Sequence, residues 1–159
     1  MNKISLLLTL IVSFGINAQI STLQTNNSGG YSSAIGAFTT ASGNTSTAMG
    51  YDSTASGDFS TAMGYRTTAS GNYSTAVGYD TTASGVVSTA MGYDSTASGH
   101  YSTAMGIETT ASGIVSTAMG YETEASGDSS TAMGYQTTAS DRSSLVIGEY
   151  NLLGSTVTN

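Results

Sequence analysis

Bulky apolar residues crowd the first 23 positions of this chain and then become sparse, and nine of the later ones fall at one fixed step. Ile35, Met49, Met63, Val77, Met91, Met105, Met119, Met133 and Ile147 each stand fourteen residues from the next. Each is followed by a glycine, including Gly50, Gly64, Gly78, Gly92, Gly106, Gly120 and Gly134, and each is preceded by Ala or, once, by Val146. In an extended strand, side chains alternate between faces. The segment 46–51, STAMGY, then puts Thr47, Met49 and Tyr51 on one face and Ser46, Ala48 and Gly50 on the other. One face carries bulk and the other almost none. The small face suits the thin interior of a flattened coil, but alternation alone leaves open which face points inward.

The second half of each unit is as regular. Ala-Ser recurs from Ala41 to Ala139, followed by a glycine from Gly43 to Gly127 until Asp141 breaks the column. Two windows vary: the pair after this glycine, such as Asp58 and Phe59, and the pair after the tyrosine, such as Asp52 and Ser53. Turns are expected there, assisted by the glycines of the Gly50 to Gly134 column. A strict short period marks a solenoid, and helical repeats need about 30 residues or more. Fourteen residues divide into two strands of about five with two tight turns. The prediction is an all-β parallel solenoid of about nine coils, stacked about 4.8 Å apart into a rod roughly 40 Å long. Ser, Thr and Gly in this abundance also occur in disordered linkers, but a chain without packing constraints has no reason to hold a register.

Composition narrows the picture. The chain has 159 residues, 38% of them hydrophobic and 8% charged, enough for one domain built around small side chains. Residues 1–18 place Lys3 before an apolar run and end in Ala18, the layout of a signal peptide. The expected organisation is a signal peptide over 1–18, a lead segment over 19–29, repeats over 30–150, and over 151–159 a tail or the start of a further domain. Once Lys3 leaves with the leader, Arg66 and Arg142 face ten carboxylates. That balance argues against nucleic acid, which is bound by neutralising phosphates. There is no cysteine to form a disulfide. One large apolar side chain per coil is a thin supply for ordering fourteen residues, so the Met column is read either as core or as an interface between chains in a homotrimer.

Little in the sequence suggests chemistry. His100 is the one histidine and lies in a variable turn, without the fixed partners of a triad or zinc site. Asp52, Asp80 and Asp94 share a column with Arg66, Glu108, Glu122 and Gln136, which reads as a solvated edge rather than a calcium site. The Thr47 to Thr131 column could form an ice-binding ladder, but it flanks Met and Tyr on one face, where a flat surface is needed. No catalytic, cofactor or metal residue is assigned, no enzyme is predicted, and the ligand-binding residues stay unassigned. A spacer without its own ligand is the alternative, since repetition by itself gives length.

Units such as STAMGYDSTASGDF, residues 46–59, resemble the head repeats of trimeric autotransporter adhesins of the YadA type, which run small-x-Ala-Ile-Gly and then Ala-x-Gly. The resemblance covers about residues 30–150, with Met mostly standing where the family has Ile or Val. It implies a left-handed parallel β-roll, three chains around a common axis, and display at a bacterial outer membrane. It also implies binding to a host matrix protein such as collagen, or to another cell. The pairs Ala48 with Met49 and Ala104 with Met105 match the family's inner strand.

Overall fold

The computed structural model describes residues 24–150; the expected leader over 1–18 and the segment 151–159 lie outside them. Two nine-stranded parallel sheets make up the fold. One is built of five-residue strands, from Ser33–Ala37 through Thr47–Tyr51 and its successors to Leu145–Glu149. The other is built of two-residue strands, from Asn26–Asn27 to Thr138–Ala139. Every strand pairs with the same columns one coil on, as Thr89 with Thr103 and Met91 with Met105. The stack therefore starts at Asn26, inside the expected lead segment.

Two equal strands per coil were expected, and the structure corrects this to one long and one short. After Ala55 the chain leaves the ladder: the amides of Ser56 and Gly57 both donate to the Ala69 carbonyl, at 3.0 and 3.3 Å. The Gly57 carbonyl in turn accepts the Ser60 amide at 3.3 Å and the Ser60 hydroxyl at 2.6 Å, closing a tight turn. The other half of the coil runs on through Gly50 to Tyr51 as strand.

The Gly50, Gly64, Gly78, Gly92, Gly106, Gly120 and Gly134 column therefore does not lie in turns. Each occupies the fourth place of a long strand with φ between 118° and 140°, a region open to glycine. A Cβ on Gly78 would sit 2.0 Å from the carbonyl oxygen of Gly92 in the next coil. The close stacking of backbones, as much as the dihedral, demands glycine.

The corners do fall in the two variable windows. Among the described residues, nineteen that are not glycine have φ between 48° and 60°, and they recur every seven residues, as Thr45, Asp52, Phe59 and Arg66. At these corners the ladder reverses. The Asp52 amide donates back to Ala37 and that of Phe59 back to Asn44, at 2.9 and 2.8 Å, while strand amides such as Thr47 donate forward, to Ser60. The coil is thus two half-turns of seven residues, each opening Ser/Thr-x-Ala.

That sub-period sets the interior. Among the described residues, the fully buried side chains are fifteen alanines and fifteen serines or threonines, alternating every seven. Ser53 and Thr67, counted among the freely varying positions, belong to this interior, where only Ser or Thr appears. The roll is a thin hydroxyl-and-methyl sandwich with no room for a larger side chain. Some hydroxyls bond inside it: Thr67 Oγ1 reaches Ser53 Oγ at 3.0 Å, and Ser53 Oγ donates to the Gly64 carbonyl at 3.1 Å.

Candidate functional site

With small residues inside, everything bulky faces out. The long strands present three parallel columns outward: Thr47 with its counterparts, the Met column, and the Tyr column. Ile35, Met49, Met63, Val77, Met91, Met105, Met119, Met133 and Ile147 therefore lie outside the roll, partly covered along the rod and most exposed at Ile147. Of the two places considered for them, the interior is occupied by Ala, Ser and Thr, which leaves an outward apolar stripe in register from coil to coil.

Beside this stripe the tyrosines stack. Tyr51, Tyr65, Tyr79 and Tyr93 follow one another with ring centroids 5.3, 4.8 and 5.0 Å apart and planes within 10° of parallel. Ile107 interrupts the column, and Tyr121 and Tyr135 resume it at 5.0 Å. Phe38 and Tyr150 meet the two ends edge-on. The Tyr121 phenol is pushed above its ordinary value of 10.0, first by its hydrogen bond to Glu122 and then by that carboxylate's charge. Tyr135 is pushed the same way, first by its hydrogen bond with Tyr150. The period contained this ladder, but sequence reasoning treated the tyrosines only as strand residues, because the contact is made between coils and not along the chain.

The turn after Tyr51 carries the charged column. Arg66 and Asp80 pair across coils at 3.3 Å, both well exposed, and such a pair adds little stability. The other turn is lined by acceptors that cap the coil before: Asp58 Oδ1 takes the Asn44 amide at 2.9 Å, and Asn72 Oδ1 takes the Asp58 amide at 3.0 Å. His100 does the same, its Nδ1 accepting the Val86 amide at 3.1 Å. Its place is thereby explained as a turn cap. Among the described residues no group of three or more His, Cys, Asp or Glu side chains could hold a metal ion.

A second outward face was not foreseen. The short strands partly expose Thr54, and just after the strand Ser56, with their counterparts, a small-hydroxyl surface opposite the Met and Tyr columns, interrupted once by Glu124 in the Thr54 column. Its sequence signal is the Thr-Ala-Ser triplet, which marks a regular segment but carries no bulky side chain to show which way it faces.

The molecule thus offers long, repetitive, outward-facing columns. No curated protein matches the chain. The family model of the YadA head domain repeat does, in overlapping segments that begin at residues 28–53 and end at 125–149. Those segments tile almost the whole described solenoid, successive ones from residue 41 onward beginning fourteen residues apart, as its coils do, and the chain belongs to the family of YadA head domain repeats.

Proposed function

We propose that this chain is the binding head of an exported adhesin, assembled as a homotrimer at the cell surface, which holds a matrix protein such as collagen, or another cell, through its repeated outer face. The observation that carries this reading is the outward apolar stripe. Nine coils in register leave Met, Ile and Val partly exposed along one face, and a stripe of that length is stable in water when a second surface covers it. In this reading the Met column packs against neighbouring chains, and the leader over 1–18 takes the chain out of the cell. Many weak contacts, repeated along and around the rod, then supply avidity, which can raise affinity about 10²- to 10⁴-fold without any strong single contact.

Full-length chains and chains shortened by three whole coils are compared for binding to immobilised collagen, fibronectin and bacterial cells. Binding that weakens steeply with length supports the distributed surface. Equal binding by the two would place the ligand in one local site. Folded trimers that bind nothing would make the chain a spacer, a reading favoured by the near-identity of successive coils.

A further inference from the structure

Four phenols held in a parallel stack are placed for a reaction that stacking alone does not need. We propose that the tyrosine ladder is a site of oxidative cross-linking, in which a peroxidase using hydrogen peroxide joins tyrosines of adjacent coils as dityrosine. The geometry is closest at Tyr65 and Tyr79, with ring centroids 4.8 Å apart and planes inclined by 10°. Tyr65 and Tyr79 are 39% and 42% exposed in the single chain, so an external oxidant reaches them there. Tyr51 with Tyr65, Tyr79 with Tyr93 and Tyr121 with Tyr135 are related in the same way.

Each phenol gives up one electron and its hydroxyl proton. The two phenoxyl radicals join through one ortho carbon each, Cε to Cε, and each displaced ortho hydrogen moves to the phenol oxygen, restoring both rings. Hydrogen peroxide accepts the two electrons and two protons and becomes two waters. Holding the partners in contact removes the diffusional encounter that limits free tyrosyl radicals. The product ties one coil to the next outside the hydrogen-bond ladder, in a chain with no cysteine for a disulfide. Ile107 divides the ladder into two separately cross-linked runs.

The test uses the placement of arginine. Arg66 follows Tyr65, and the next basic residue is Arg142, so trypsin acting on the unfolded, oxidised chain separates Tyr65 from Tyr79 unless they are joined. The expected result is a species made of the peptide ending at Arg66 linked to peptide 67–142, lighter than their sum by two hydrogen atoms for the joining bond and by two more for each cross-link formed within either peptide. It should be lost in Tyr65→Phe and in Tyr79→Phe, which keep a stacked ring but cannot form a phenoxyl radical, and retained in Tyr101→Phe, whose column neighbours are Val87 and Val115. Mixing isotopically heavy and light chains before oxidation should give joined peptides of one label only. The proposal is overturned by joined peptide persisting in Tyr65→Phe, by mixed labels, by equal yield from chain oxidised in denaturant, or by no joined peptide under conditions that dimerise free tyrosine.

Discussion

Valine is a poor choice for a left-handed corner, yet Val87 and Val115 both hold φ at 58°. The crowding of a Cβ against the following carbonyl costs about 1–2 kcal/mol there, and a second branch at Cβ makes it worse. Both side chains point to solvent, about half exposed, so the roll gains little in return. Val87→Asn should therefore stabilise the chain by about 1 kcal/mol, since Asn enters this region readily. The same dihedral sign gives the opposite result within the strands. Gly78 holds φ at 135° with the Gly92 carbonyl oxygen 2.0 Å from where a Cβ would stand. Gly78→Ala should cost about 3 kcal/mol or more, because the atom that must give way is backbone. Urea unfolding of the two variants checks both signs. A Val87→Asn chain that unfolds earlier would mean that the outward valine is held by contacts with other chains. A turn cap belongs to this scale as well. His100→Val should cost up to about 1 kcal/mol by removing the acceptor of the Val86 amide, whereas His100→Asn should be close to neutral.

For the strands and half-turns, the rule is that whole coils are exchangeable and half-coils are not. Deleting residues 53–66 joins Asp52 to Thr67 and leaves every column in place, so the shortened chain should keep its fold. Deleting 53–59 alone brings Ser60 and Ala62 to the inner places of Ser53 and Ala55, which suit them, but puts Met63 where the short strand exposes Ser56. The apolar stripe is then split between opposite faces. The seven-residue deletion should melt well below the fourteen-residue one by circular dichroism; equal melting would show that the two sheets are interchangeable. Much of this was legible in the sequence, since the step of Met49, Met63 and their kin gave the coil, and strand alternation separated Ala48 from Met49. The division into five- and two-residue strands was not. STAMG at 46–50 and STASG at 53–57 differ only at the fourth residue. Whether the glycine stays in the strand, as Gly50 does, or turns its carbonyl to the next serine, as Gly57 does, is settled by bonds between and across turns that residue identity does not reveal. The Met column was legible as a stripe for the same reason that its place stayed open: alternation assigns faces, and only the size of the interior says which face is in.

At the scale of the whole rod, the exposed stripe makes a statement about assembly. If neighbouring chains cover the Met column, Met91→Asp buries an unpaired charge and should shift sedimentation from trimer toward monomer, with a large drop in melting temperature. Asp94→Ala, three residues away on an exposed turn, should change neither much. A Met91→Asp chain with unaltered mass and melting would show that the stripe stays open to solvent. The forward and backward amide bonds between coils have a mechanical meaning too. They all run along the rod, so a pull applied through the two ends of one chain passes through every coil in series, and a terminal coil, paired on one side only, is the first to peel. Each coil released frees fourteen residues, about 45 Å of extended chain, where the rod loses only the spacing between two neighbouring strands, about 4.8 Å. Under tension such a rod would yield in equal steps, paying out length many times its own while the coils still stacked keep their grip.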